Sequence, residues 1–558
     1  MTTRPNAFFR RGKIIMKKLF KGCRRKVTAV MAIALVASFS PVASIDAASK
    51  ANNLVILVGE KDAGWCVQDS PGIDQIAMKN SVSEGLMTMN IQGKLVPYLA
   101  KSLTSTPDFK TWTLTIREGI FFHDGELLSA ATVASNIAAS LGLTVTGGLP
   151  AIAWQDLFGG VRSLPEFAAK VQVKSAFTLQ LNLPVGRPDL GSVLYASGRN
   201  TMWSSATLKS PKCGTTLGFG TGPFKIVEKG IDQFSTKLEA NTNYWRKAAD
   251  GSKLPKAKSV IFKVVLDATQ RVNALEKGSA DVATFGSVSG AQIKRVQSSL
   301  KSKLTVITGD KETTWSLHLN TAVAPFNNKN ARLAVSYAID RDNYVKLMTK
   351  GTASPATSFG ATYHPYHVKK SGVRFDLAKA KEYVAAYKND TGKDLSVVIP
   401  ITDTTESAKS NGALAKFLNA AGIKTSLMAP VTSTQYILRG FGLKQQWSWF
   451  NVAAGRDASF TSLFSTNTDL ELSGFRFTNP PLAAGFTQAR NSGVASNFKK
   501  YAQILHDEAY WIPVYLESGY LIHSNKVSGI GATLLPNGGN RQIISLAGFD
   551  FASVTVAG

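Results

Sequence analysis

Side chains able to do chemistry are sparse in this sequence, and their spacing assembles no catalytic centre. His364-Pro365-Tyr366-His367 holds the closest histidine pair. Pro365 keeps that segment off a helix, and no Cys or carboxylate cluster flanks it, so no metal site is expected there. His123-Asp124-Gly125 has the composition of a turn. Gly218 to Phe224 is glycine-rich, but it lacks the Lys-Ser/Thr pair and the following helix of a phosphate cradle. Gly286-Ser287-Val288-Ser289-Gly290 puts its serines off the register of a nucleophile elbow. No catalytic residue and no cofactor are expected. The segment richest in binding chemistry runs from Trp447 to Asp457. Trp447 and Trp449 offer aromatic faces and Asn451 an amide. Arg456 offers a guanidinium that would grip a carboxylate or phosphate bidentately, or stack on a Trp. Asp457 closes the segment. Trp65, Trp315 and Tyr363 are secondary candidates. The competing reading makes Trp447 and Trp449 ordinary core and Arg456 surface.

The elements that would position these groups alternate between strand and helix. Asn53 to Val58 is a short apolar run ending at Gly59, as in a buried strand. Thr111 to Arg117, Thr178 to Leu183 and Trp315 to Asn320 alternate, as half-buried strands do. Ser259 to Leu266, Leu395 to Ile401 and Trp511 to Leu516 are further strands. Helices are expected over 129–141 with Ser129 as N-cap, 270–277, 330–339, 342–350, 376–388 with Asp376 as cap, 405–421 and 497–509. This alternation defines an α/β architecture and excludes a sandwich or a helical bundle. No repeat or low-complexity linker interrupts it.

The chain has 558 residues, enough for three or four domains at roughly 150 residues each. Its formal charge of +27 raises the question of nucleic acid, which the distribution answers. Residues 1–47 carry one acid and ten basic residues, the last at Lys26, after which come an apolar run from Val27 to Phe39 and then small residues. That is a secretory signal peptide, too short to span a bilayer, with Met16 as a second candidate start. Its removal leaves 54 basic and 36 acidic residues, spread without a stripe or aromatic interleaving. No nucleic-acid partner is expected. Cys23 precedes the apolar run, so no lipobox cysteine would anchor the exported chain to lipid. Cys66 and Cys213 remain, and in an oxidising compartment a disulfide between them is expected, with two buried free thiols as the alternative.

Several segments, in order, resemble the family 5 solute-binding proteins of ABC transporters, the peptide, nickel and opine type. They are Ser83-Glu84-Gly85-Leu86, Gly93 to Ser102, Trp112 to Ile120 and Phe122 to Glu126. They continue with Gly220 to Val227, Asn241 to Trp245, Arg271 with Gly278 to Ala283, Leu319 to Thr321 with Pro325-Phe326, Arg332 to Arg341, and Asp507 to Tyr515. Most of these motifs are structural: Thr221-Gly222-Pro223 makes a tight turn, and Asp340-Arg341-Asp342 caps a helix and can pair charges.

The resemblance implies a periplasmic binding protein-like type II fold, two lobes joined by a hinge, with an extra domain inserted in the first lobe. Mapped here, lobe I takes 48–85, 205–310 and 523–558, the insertion 86–204, and lobe II 311–522. The chain would cross between lobes near Leu317 to Asn320 and again after Leu521. The implied protein is not an enzyme. It is an exported, periplasmic or envelope monomer that captures a peptide or similar small solute and delivers it to ABC permease subunits. A non-peptide solute (oligosaccharide, opine, metal chelate) and a sensor or chaperone on the same fold are alternatives, with a secreted hydrolase more remote. In peptide-binding members a Trp followed by an Asp reads the peptide's amino terminus. Trp449 matches that Trp, whereas the acidic position falls at Val452 to Ala454, and Asp457 matches a second, more structural acid.

Overall fold

A computed structural model describes residues 52–60, 65, 73–145, 151–209, 218–229, 234–309, 313–358, 367–452, 479–541 and 549–557. The expected signal segment, Cys66, Cys213, Tyr363, Arg456 and Asp457 lie outside these residues. For Asn451 the backbone alone is described.

Apolar runs become central strands. Asn53–Val58 lies inside a seven-stranded mixed sheet, parallel to Ser259–Val264 on one side and to Val282–Phe285 on the other. Ser235–Ala240 and Phe224–Lys229 extend the sheet past Ser259–Val264, while Tyr520–Ser524 and Leu304–Thr308 extend it past Val282–Phe285. Asn53–Val58 and Val282–Phe285, covered on both faces, are buried along most of their length, whereas Ser259–Val264 alternates. Leu54, Ile56, Val260 and Phe262 pack in one core, and Leu57, Val272, Leu275, Ile293 and Ile522 pack in another.

The alternating segments Thr111–Ile116 and Thr178–Asn182 lie side by side in a four-stranded antiparallel sheet. Their inward residues Leu114, Ile116, Leu179 and Leu181 meet Val133 and Ile137 of helix Ala130–Ser140. Ser129 caps that helix through the Thr132 amide, and Thr132 answers by accepting from the Ser129 amide. The reciprocal pair fixes the helix start at the expected residue.

A second four-stranded sheet has the order Ser354–Pro355, Trp511–Glu517, Thr313–Leu319, Trp447–Val452, all antiparallel. One face carries Leu317, Leu319, Trp447, Ile512 and Val514 onto helices Lys329–Ala338 and Thr405–Ala420. The other face carries Trp511 onto helices Pro480–Ser492 and Ala495–Asp507. Among the described residues no helix is long and apolar enough to cross a membrane.

The chain passes from the seven-stranded sheet to the second sheet between Thr308 and Thr313, and returns between Glu517 and Tyr520. The Gly309 amide donates to the Gly519 carbonyl at 2.9 Å, which ties the two passages together. Leu317 to Leu319, where the sequence placed the first passage, is instead a fully buried stretch of the second sheet. An alternating strand carries no mark of which sheet it joins, so its interior was mistaken for its entry.

The motif segments are structural knots. Glu84 is buried and accepts from Tyr98 Oη at 2.7 Å, Tyr244 Oη at 2.6 Å, Trp245 Nε1 at 2.7 Å and Thr221 Oγ1 at 3.0 Å. Four motifs far apart in sequence thus meet at one carboxylate. Arg246 stands beside it and pairs with Asp550 at 2.9 Å. Gly220 and Gly222 are required by close approach rather than by unusual φ. A Cβ at Gly220 would lie 2.2 Å from the Val82 carbonyl oxygen, and one at Gly222 would lie 2.7 Å from that of Ser81. Arg341 directs its guanidinium to the carbonyls of Pro513, Ser336 and Ile339, where the sequence suggested charge pairing with its acidic neighbours.

Candidate functional site

The second sheet presents an aromatic cluster at its end nearest the two passages. Trp315 on strand Thr313–Leu319 lies opposite Tyr515, with ring centroids 6.1 Å apart and nearly parallel planes. Trp449 on strand Trp447–Val452 meets Trp315 edge-on at 6.4 Å. Tyr344, from helix Arg341–Thr349, stacks on Trp449 at 6.1 Å and on Tyr515 at 5.9 Å. Trp315 and Trp449 are half-buried, while Tyr344 and Tyr515 are buried beneath them. The Trp449 indole is oriented by Nε1, which donates to Asn411 Oδ1 at 2.7 Å, and its backbone amide donates to Tyr436 Oη at 2.6 Å.

Glu517 closes the base of this cluster. Its Oε1 accepts from Trp315 Nε1, and its Oε2 accepts from the Ser287 amide at 3.1 Å. Ser287 follows strand Val282–Phe285 of the seven-stranded sheet, so the carboxyl is held by one donor from each sheet's body. Burial pushes the Glu517 carboxyl up to about 7, against the pull of the indole and of Ser287. Around it, Ser287 Oγ donates to the carbonyls of Thr352 and Ser518, Thr352 Oγ1 donates to Ser287 O at 2.8 Å, and Tyr520 Oη donates to Thr352 O at 2.6 Å. These bonds stitch the two bodies together beside the passages.

A second seam joins the second body to the one built on the alternating sheet. Asp156, from helix Ile152–Leu157, accepts from Arg490 of helix Pro480–Ser492 and from Arg187 at 3.4 Å. Arg187 also grips Asp189 with Nε and Nη2 at 2.7 and 2.8 Å. The side chains of Asp156, Arg187 and Arg490 are at most 2% exposed. Burial alone would raise Asp189, and the Arg187 guanidinium more than reverses it, holding that carboxyl below its usual range.

Of the residues singled out from sequence, Trp315 and Trp449 come together, and Asn451 pairs with Trp315 through the backbone register. Trp447 does not join them; it is buried against Phe326 in the core, with centroids 6.2 Å apart. Trp65 is also separate, buried edge-on against Trp203 in the first core. His123 is a half-buried turn residue whose Nε2 contacts the Gly222 carbonyl, and desolvation of the ring lowers it to about 4. Sequence reasoning missed Tyr344, Asn411, Tyr515 and Glu517. The signal for the last two was hidden by a bulge: Trp315 pairs with Tyr515 while Ser316 pairs with Pro513, leaving Val514 unopposed. The bulge shifts strand parity, so Tyr515 reaches the same core as Ile512 and Val514.

Two lobes, one on an open mixed sheet and one on an antiparallel sheet, linked by paired passages and carrying an aromatic cluster beside them, have the architecture of a binding protein of the periplasmic type. The chain belongs to the bacterial extracellular solute-binding proteins, family 5, whose middle-region model matches residues 94–471. It is 29% identical over 341 residues to the nickel-binding periplasmic protein of Escherichia coli K12, covering 58% of this chain and 59% of that one. It is 25% identical over 507 residues to the glutathione-binding protein GsiB of Escherichia coli O6:K15:H31, covering 86% and 92%. The ABC transporter-associated periplasmic binding protein DppA of Helicobacter pylori, solved with the peptide STSA, shares the fold. Its TM-score is 0.73 at 19% identity, covering 90% of this chain and 98% of that one.

Proposed function

We propose that this chain is the exported solute-binding component of an ABC importer, capturing a peptide or similar small solute between its lobes for a membrane permease. The observation that carries the reading is the Trp315–Trp449 wall at the sheet end beside both passages, where half-buried aromatic faces are available to a ligand. Family membership and the peptide-type relatives support it. Residues 48–85, 205–310 and 520–558 form lobe I, 86–204 its insertion and 311–517 lobe II; the boundary read from sequence at 522 moves back because strand Tyr520–Ser524 pairs in the lobe I sheet. The paired passages are the hinge, and contacts made only in the closed form shift the population toward closure. Net binding of ~8 kcal/mol gives micromolar capture, within reach of a few aromatic and polar contacts. The protein acts as a monomer, without catalysis and without nucleic acid.

Native mass spectrometry of the protein purified from its own envelope tests this. A ladder of bound peptide masses is expected. A sugar or metal chelate in their place would overturn the peptide assignment and leave a binding protein for another solute. Intact mass of the same sample reads the Cys66–Cys213 bond as the loss of two hydrogens, and two free thiols would remove it.

A further inference from the structure

We propose that Glu517 is the anionic anchor for a cationic nitrogen on the solute, so that the captured ligand presents an ammonium group beside Trp315. The inference rests on the reading of this cleft as the solute site and names the chemistry it selects.

Three other buried carboxylates among the described residues have cationic company. Asp156 has Arg187 and Arg490, and Asp550 has Arg246. Glu84 stands near Arg246 and accepts from four side chains. Glu517 is 6% exposed, accepts from one indole and one amide, and makes no ion pair among the described residues. A buried carboxyl without a cation costs several kcal/mol, and both donors that hold this one, the Trp315 indole and the Ser287 amide, are neutral. Those two bonds offset only part of that cost, and a ligand bearing the opposite charge would offset more.

The surroundings suit a cation. Trp315 lies against the carboxyl through its indole, and Tyr344, Tyr515 and Tyr520 are close enough for its charge to act on them. Aromatic faces attract cations through their quadrupole. Room for a methyl-sized group is left beside Oε2. A Cβ built at Gly286 would meet only Glu517 Oε2, at 3.6 Å, apart from its own chain neighbours. The buried Ser518 hydroxyl, next along the chain, has no partner among the described residues and could add an acceptor. Because Trp315 and Ser287 hold the carboxyl from separate lobes, a cation bound there also joins them.

The test uses the purified full chain and native mass spectrometry with three equimolar tripeptide libraries: free amino termini, N-acetylated, and N-acetylated with one Lys. Wild type is expected to retain free-amine peptides at least tenfold over the acetylated set. Retention of the Lys set alone would place a side-chain ammonium at Glu517 instead of an α-ammonium. E517Q should narrow the preference to under threefold while the protein still unfolds in a cooperative transition. Should E517Q fail to fold, Glu517→Asp, which keeps the charge but withdraws it, should cut the preference severalfold. Wild-type selectivity in these variants, equal retention of all sets, or retention of none overturns the proposal. Trp449→Ala separates the two readings. If it abolishes retention while E517Q changes nothing, the cleft stands and the anchor falls; if it changes nothing either, the cleft assignment falls too.

Discussion

Asp156 and Glu517 are both buried carboxylates placed where separate bodies of the chain meet. Asp156 lies between two guanidinium groups, one from each side of its seam. Glu517 spans its seam with two neutral donors. The first arrangement neutralises itself and is complete without any other molecule. The second leaves a charge that only protonation or an incoming cation can balance, and its carboxyl rises to about 7 for that reason. One seam is a fastening and the other an acceptor, and the contrast assigns structure to Asp156 and recognition to Glu517.

The contrast can be broken from either side. Asp156→Ala leaves Arg187 and Arg490 buried without their shared acid, and should destabilise the protein by about 3–5 kcal/mol in denaturant titration. A loss below about 1 kcal/mol would show that the seam is not a fastening. Glu517→Gln should act through pH. Because the folded carboxyl titrates above its ordinary value, the stability it contributes is present below about pH 4.5 and lost as pH rises through about 7. Relative to wild type, E517Q should gain about 2–3 kcal/mol between pH 5 and pH 8. Tyr344, Tyr515 and Tyr520 are pushed above the usual phenol range by burial, so they stay neutral across that window. Parallel pH profiles for the two proteins would return Glu517 to an ordinary structural acid. Trp449→Ala should weaken capture of the co-purified solute at least tenfold, about 1.4 kcal/mol, by isothermal titration. Trp447→Phe, in the core, should leave that affinity within twofold while lowering stability.

Local signals carried much of the fold. Ser129 and Asp376 each cap a helix through a side-chain oxygen, and a short polar residue before an apolar periodicity announces such a start. Central strands were legible where they ran apolar, as at Asn53 to Val58. Strand Trp447–Val452 was not assigned, because Trp-Ser-Trp-Phe-Asn-Val serves strand or loop equally until its partner Thr313–Leu319 is known. Helix Pro480–Ser492 was missed because two prolines open it; they sit in the first turn, where no amide is needed, behind the Asn479 cap. In the site, aromatic residues drew attention by size, which found Trp315 and Trp449 but equally picked out Trp447 and Trp65, both core. Glu517 carried no mark. Its meaning lies in what fails to surround it, and that becomes visible only when distant segments are assembled.

Strand Tyr520–Ser524 lies between Val282–Phe285 and Leu304–Thr308 in the large sheet. During synthesis, Leu304–Thr308 has no sheet neighbour and Val282–Phe285 keeps a bare edge until residue 524 has left the ribosome. The first lobe is thus the earliest to begin and among the last to finish. Its pairing waits on contacts of very long sequence separation, which slows folding and leaves edges open to wrong partners in the interval. A nascent chain held incomplete in this way keeps its largest sheet open until its last tenth is made, so the cost of completing that sheet falls at the end of synthesis.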